Sequence, residues 1–266
     1  MTTLLQKSKA FLWYLRRPRY YGEFIRLSTA EVKKVWQPHS KEEAVKAREW
    51  CQARALSVLE VLEKMGINQP PKSFQEKFKQ QLQQAHEREK ECPVKMGGGS
   101  DLALLFYLAE HTKAQRVIET GVAYGWSSLA FLLSLQQREK SLLISTDKPY
   151  PGVGNEKFVG CVVPPQFQQQ WTIFREADRT GLVKALASAG TIDLCHYDSD
   201  KSYAGRIWAY PLLWNALRSG GIFISDDIGD NLAFKDFSEK INQLPIVVQS
   251  GNRFIGVVVK TGRNNS

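Results

Sequence analysis

The segment Val117-Ile-Glu-Thr-Gly-Val-Ala-Tyr-Gly-Trp-Ser-Ser-Leu129 constrains the fold more than any other stretch. A short apolar run leads to an acid and two glycines, and a second apolar run follows. That order reads as strand, tight turn, helix. Glu119, Gly121 and Gly125 give E-x-G-x-x-x-G, not the G-x-G-x-x-G of a dinucleotide site. A diphosphate settles on backbone N–H groups at a helix N-terminus with no acid in the way. A carboxylate at the turn instead suits a ligand carrying a cationic amine.

From about residue 100 the chain alternates. Candidate strands cover 115–120, 141–146, 171–174, 191–197 and 221–225, with helices starting near 101, 126, 179, 203 and 232. Such alternation predicts a parallel sheet with helices on both faces. The end departs from it. Leu244–Val248 and Phe254–Val259 are joined by too few residues for a crossover helix, so they should form an antiparallel hairpin. The expected fold is therefore α/β: a doubly wound, mostly parallel, seven-stranded sheet ending in an antiparallel hairpin.

Residues 1–94 differ in character and read as a helical N-terminal extension, with the α/β domain spanning 95–266. Leu4, Leu5, Phe11, Leu12 and Leu15 keep helical spacing up to Pro18. Ser40 with Glu43 has the pattern of a capping box for a helix reaching about Met65, closed by Gly66. Ser73 with Glu76 has the same pattern ahead of Phe74, Phe78, Leu82 and Ala85, and Pro70-Pro71 separates the two helices.

With 43% hydrophobic residues and no apolar run near the ~20 residues of a membrane span, the chain reads as an ordinary globular protein. Its short apolar stretch at 11–15 runs straight into Arg16-Arg17, unlike a signal peptide. Cys51, Cys92, Cys161 and Cys195 are far apart with no C-x-x-C, which suits reduced thiols and a cytoplasmic setting. The net charge of +9 is concentrated early, where Lys7, Lys9, Arg16, Arg17, Arg19 and Arg26 face few acids. A basic face of this kind fits an anionic membrane surface, phosphates or nucleic acid, or is simply solvated.

In an open α/β sheet, ligands sit beyond the carboxyl ends of the strands. Every candidate strand here ends at or near an acid: Glu119, Asp147, Asp178 just past the third, Asp198, and Asp226-Asp227. One such acid is often a helix cap; five in order point to a ligand cleft. Asp147 could accept both ribose hydroxyls of a nucleoside, or cap a turn. Asp198, Asp226 and Asp227 come from neighbouring strand ends and would repel one another without a cation. Oxygen-only ligands suit Mg²⁺, which would bind a substrate hydroxyl and ease its deprotonation. Lys201 follows Asp198 by one helical turn. Beside a cation its pKa would fall and it could act as general base; otherwise it is a surface lysine opening the next helix.

These residues resemble a known family. From about 95 to 260 the chain looks like the class I S-adenosylmethionine-dependent methyltransferases. Within them it is most similar to metal-dependent O-methyltransferases of the catechol type and of the bacterial sugar and macrolide type. Glu119-Thr-Gly-Val-Ala-Tyr-Gly-Trp-Ser127 aligns with the catechol enzymes' glycine motif without a gap. The resemblance implies that Glu119 and the turn at Gly121 and Gly125 hold the methionine end of the cofactor, with Ser127 on its carboxylate. It implies Asp147 on the ribose and Asp178 at the adenine. It further implies Asp198, Asp226 and Asp227 as metal ligands, probing an Asp-Asp pair where the catechol enzymes carry Asp-Asn. Lys201 and Asp198 become the catalytic pair. The sugar-type relatives show Asp-x-x-His-x-Tyr where this chain has Asp198-Ser-Asp-Lys201-Ser-Tyr203, so features of both groups are present. Met96-Gly97-Gly98-Gly99-Ser100 matches a segment that closes over the methionine part, and also reads as a hinge.

The expected reaction is methyl transfer to a metal-bound hydroxyl of a small molecule or sugar. Residues 148–170, rich in Pro and Gly, and the N-terminal helices are candidates for acceptor selection. The basic segment Leu15-Arg-Arg-Pro-Arg-Tyr-Tyr21 could meet an anionic membrane face, a nucleotide-sugar phosphate, or a second subunit in a homodimer. The competing reading is an RNA-binding methyltransferase or a non-catalytic RNA-binding relative. The charge favours it, while the acids and the lack of an Asn/Asp-Pro-Pro-aromatic motif oppose it.

Overall fold

A computed structural model describes residues 4–36, 40–68 and 71–262. The elements in chain order are α1 (Leu4–Leu15), α2 (Tyr21–Trp36), α3 (Ser40–Gln52), β1 (Ala55–Ser57), α4 (Val58–Lys64), α5 (Pro71–Lys77) and α6 (Lys79–Lys90). The alternating part follows as α7 (Leu102–His111), β2 (Arg116–Thr120), α8 (Trp126–Leu135), β3 (Leu142–Thr146), β4 (Trp171–Phe174), α9 (Asp178–Ala189), β5 (Ile192–Tyr197) and α10 (Tyr203–Ala216). It closes with β6 (Leu217–Ser225), α11 (Ala233–Lys240), β7 (Ile246–Ser250) and β8 (Arg253–Val259).

The strands form one sheet in the order β1-β7-β8-β6-β5-β2-β3-β4. Among the described residues β8 alone runs against the rest, inserted antiparallel between β6 and β7. The doubly wound sheet and its terminal hairpin agree with the sequence reading. The strand count does not: eight strands are present rather than seven. The extra one is β1, whose Ala55, Leu56 and Ser57 pair in parallel with Val247, Val248 and Gln249. Three residues are too short to show any period.

That strand also breaks the single helix expected from Ser40 to Met65. α3 stops at Gln52, and a new helix starts after Ser57. Ser57 Oγ accepts from Glu60 N at 3.2 Å, and Glu60 Oε2 accepts from Ser57 N at 2.7 Å. This reciprocal capping box satisfies two donors that a helix start leaves open. Further on, Pro71 opens α5, as proline does at a first helical position, so Ser73 lies inside the first turn rather than ahead of it.

Two buried layers cover the sheet. One gathers Phe74, Phe78 and Leu62 with α7 and α8, whose residues Ala103–Ala109 and Trp126–Leu135 are buried all round. A helix apolar on every side belongs inside a protein. The other gathers Cys51, Leu182, Leu213 and Phe237 on the opposite face. Residues of the expected N-terminal extension thus share both layers with the α/β part. α1 buries Tyr14 and leaves Phe11, Leu12 and Leu15 about half exposed. All four cysteines are free, and no helix among the described residues is long and apolar enough to cross a membrane.

The capping box gives a direct test of the helix break. Ser57→Ala should destabilise the protein by about 1 kcal/mol, read as a lower urea midpoint with an unchanged m-value. An unchanged midpoint would mean that β1 and α4 are held by packing alone.

Candidate functional site

β2 lies between β3 and β5, so the connections after β2 and β3 leave on one side and that after β5 on the other. Ligand crevices form at such a reversal, outside the carboxyl ends of the strands. Two cavities occupy this edge. One is lined by Asp147, Lys148, Asp178, Arg179, Asp200 and Trp208, with Glu23 and Arg26 from α2. The other is lined by Gly97–Gly99, Ala123, Trp126, Ser127, Lys201, Asp227 and Arg253. Gly121, Tyr150, Asp198 and Ser199 line both.

The glycine turn fits its place by shape. Gly121 has φ +84°, and a Cβ there would lie 2.3 Å from the backbone oxygen of Asp198. Only glycine lets the turn after β2 pass this close to the turn after β5. Gly125 has a different task. It has φ +93°, and a Cβ would lie 2.9 Å from the Cα of Gly160. The long loop between β3 and β4 is docked there, with Gly160 N donating to Ala123 O and Val162 N to Tyr124 O. Gly125 therefore seats the loop and does not line either cavity.

The acids divide into those that reach the cavities and those that do not. Asp147 reaches the first, although it is only 2% exposed. Its Oδ1 accepts from Val122 N at 3.0 Å, which braces the glycine turn, and its Oδ2 pairs with Arg175. Asp178 opens α9 and accepts from Ser199 Oγ at 2.6 Å and Tyr197 Oη at 3.2 Å. Burial raises the pKa of both carboxyls, against these partners. Ser127 and Gly97 line the second cavity. Met96 instead packs beneath it, its sulfur 3.0 Å from Asn155 Nδ2 and its N–H donating to Tyr124 Oη.

Glu119 does not reach a cavity. It is fully buried, and its Oε2 accepts from Ser128 Oγ at 2.6 Å and Ser145 Oγ at 2.7 Å. The cause is strand register: Glu119 stands opposite Ser145 on β3 and His196 on β5, inside the sheet. Burial raises its pKa, opposed by His196.

The three acids expected to share a metal are not gathered into one ligand set. Among the described residues no group of three His, Cys, Asp or Glu side chains is placed to hold an ion. Lys201 Nζ instead sits between two of them, 3.1 Å from Asp198 Oδ1 and paired with Asp227. Asp226 turns inward, accepting from Ser100 Oγ at 2.8 Å with His196 Nε2 at 3.5 Å. As arranged, the donors do not fit the three-carboxylate site. The cation already present is an ammonium, and that changes the proton inventory. Burial opposes charge on Lys201, but the two carboxylates outweigh it and raise its pKa. Burial and the Asp226 charge raise that of Asp198.

One residue that sequence reasoning missed fixes this geometry. Arg206 on α10 is wholly buried and donates from Nη2 to the carbonyls of Asp226 (3.1 Å) and Asp227 (2.8 Å). It holds a strained turn: Asp227 has φ +51°, left-handed for a residue other than glycine. Nothing in the sequence separates Arg206 from a surface arginine, because its shortest bonds are to backbone atoms. Tyr150 and Arg175 were missed for a similar reason, since both stand in irregular segments.

A family model described as a methyltransferase domain matches residues 118–228. That stretch runs from β2 to the turn after β6. Its fold is similar to that of an O-methyltransferase from Bacillus cereus solved in complex with SAH (TM-score 0.53, 12% identity, 79% of this chain and 100% of that one). It is also similar to a methyltransferase from Geobacter sulfurreducens (0.52, 16%, 68% and 88%) and to cofactor-bound Rv0187 from MTB (0.52, 14%, 68% and 90%). No curated protein matches the chain significantly by sequence.

Removing the brace should loosen the site from below. Arg206→Met removes the guanidinium's bonds to the carbonyls of Asp226 and Asp227, at a cost of roughly 2 kcal/mol. Urea denaturation should show that loss; a wild-type midpoint would mean that the turn holds itself.

Proposed function

We propose that the protein is an S-adenosylmethionine-dependent O-methyltransferase acting on a hydroxyl of a small molecule or sugar. The observation that carries this reading is the Asp198–Lys201–Asp227 cluster, placed where the two cavities meet at Gly121. The methyltransferase domain and the likeness to an O-methyltransferase solved with SAH support it.

The cofactor fits the cleft on two grounds. Gly121 lines both cavities where the turns after β2 and β5 meet, and the first cavity is rimmed by acids suited to a nucleoside. Asp147 and Asp178 would hold the nucleoside, and the second cavity, with Gly97 and Ser127, would take the methionine end together with the acceptor. When bound, the cofactor supplies an electrophilic sulfonium methyl. The remaining work falls to the chain. Asp198 accepts the hydroxyl proton, and its raised pKa makes it a better base than an ordinary aspartate. The Lys201 ammonium stabilises the negative charge growing on the acceptor oxygen. Asp227 fixes Lys201 in place, and Arg206 fixes Asp227. Positioning two reactants in one cleft contributes much of the acceleration. Glu119 acts from beneath, as part of the buried floor.

Four measurements test this. S-adenosylhomocysteine should bind the purified protein in calorimetry and NADH should not; the reverse result would overturn the reading. Lys201→Met should lower kcat by roughly 10²–10⁴, with cofactor affinity nearly unchanged. The acid limb of the pH–rate profile should lie above the usual carboxylate range, because Asp198 is a base only when ionised and its pKa is raised. The same variant should move that limb higher still, since Lys201 lowers the pKa of Asp198. Excess EDTA should leave turnover within a few-fold; loss restored by Mg²⁺ would mean that an ion replaces the ammonium between Asp198 and Asp227.

A further inference from the structure

The nucleoside cavity has a wall that does not belong to the strand ends. Glu23 and Arg26 project into its lining from α2, opposite Asp147, Asp178 and Trp208. Arg26 is locked on two sides. Its Nε and Nη2 donate to both carboxylate oxygens of Glu23 at 2.8 Å, and its Nη1 donates to Asp200 Oδ2 at 3.0 Å. A planar guanidinium with a fork of donors can hold both acids at once, which an ammonium does less well. Asp200 stands between Asp198 and Lys201, so this contact ties α2 to the segment that carries the chemistry. Asp200 is itself braced, its Oδ1 accepting from Ser202 N at 3.1 Å and its carbonyl from Tyr197 Oη at 3.0 Å.

Two further attachments reach neighbouring loops. Tyr20, only 5% exposed, donates from Oη to the carbonyl of Arg175 at 2.9 Å. Arg175 directly follows β4 and pairs with Asp147 at the cavity floor. Trp13 Nε1 donates to Glu156 at 3.2 Å, and a Cβ on Gly152 would come within 3.0 Å of Lys9 Cβ. The α1–α2 pair is thus fastened to the loops after β3, β4 and β5, the loops around which this sheet builds its ligand cleft. Among the described residues its fastenings include the hydrogen bonds of Arg26, Tyr20 and Trp13 and the close packing of Gly152 on Lys9. Its own aromatic contacts, Trp13 with Tyr20 and Tyr14 with Phe24, are internal to the pair. An element held this way can open without unfolding the body beneath it.

We propose that α1 and α2 form a closing wall over the nucleoside cavity, latched by the Arg26–Asp200 ion pair, so that Arg26 sets how long a purine nucleoside ligand stays bound. The inference rests on the cofactor reading above and adds a role for the N-terminal helices. Closure after entry shortens no encounter, so the latch acts on dissociation.

The test compares wild type with Arg26→Ala, Arg26→Lys and Tyr20→Phe, using S-adenosylhomocysteine as the probe. Calorimetry gives affinity, stopped-flow displacement gives the dissociation rate, and thermal melts report folding. Arg26→Ala should weaken affinity about tenfold, a change of about 1.4 kcal/mol, almost all of it through faster dissociation. Arg26→Lys keeps a cation facing Asp200 but loses the fork, so its dissociation rate should fall between those of wild type and Arg26→Ala. Wild-type dissociation in Arg26→Ala would overturn the latch. If Arg26→Ala melts too early to be read, Tyr20→Phe decides: faster dissociation supports the wall and an unchanged rate overturns it. Failure of the wild type to bind S-adenosylhomocysteine would overturn the cofactor reading, and this inference with it.

Discussion

The turn after β2 passes within van der Waals contact of the turn after β5, and the site depends on that approach. Gly121 makes it possible, because any side chain there would overlap the carbonyl of Asp198. With the two turns in contact, the acids that follow β3, β4 and β5 converge on one cleft instead of standing along a row. Asp147 strengthens the arrangement by accepting from the backbone of the same glycine turn. Gly125 extends it outward, since its contact with Gly160 seats the long loop that carries Tyr150 over both cavities. One close approach therefore sets the floor, the divider and part of the cover.

The second constraint is charge. Carboxylates this close and this buried are costly unless a cation faces them. The chain sets a different basic group against each: Arg175 to Asp147, Lys201 to Asp198 and Asp227, Arg26 to Asp200, and, when it is protonated, His196 to Asp226. Asp226 and His196 show the exchange clearly. Burial opposes charge on both, yet Asp226 raises the pKa of His196, and His196 lowers that of Asp226. Each cation comes from a different element, so neutralising the acids also ties together α2, the loops after β4 and β5, and the sheet.

Much of this was legible in the sequence, for reasons that also mark its limit. Parallel strands covered on both faces are short continuous apolar runs, and β2, β3 and β5 stand out as such. The acids at their ends were visible because the rule that places ligands at strand ends is topological and needs no side-chain geometry. β1 was hidden because three residues carry no period, and its pairing partner lies near the other end of the chain. Arg206 and Tyr20 were hidden because each bonds to backbone carbonyls, which leave no pattern in the residues they serve. Arg26 was visible only as one positive charge in a basic stretch, and a count of charges does not say which one faces an acid.

Glu119 shows where a motif and its geometry part. The acid that opens E-x-G-x-x-x-G is one residue inside β2, and alternation along the strand turns it into the sheet between Ser145 and His196. Its contribution is then indirect but physical. Ser128 lies on α8, so the carboxylate bonds the first helix to the neighbouring strand β3 beneath the turn. A charge buried there also biases His196, which in turn faces Asp226. The acid thus reaches the ligand cleft through the stiffness of the glycine turn and through a buried row of polar groups, without a surface of its own in either cavity.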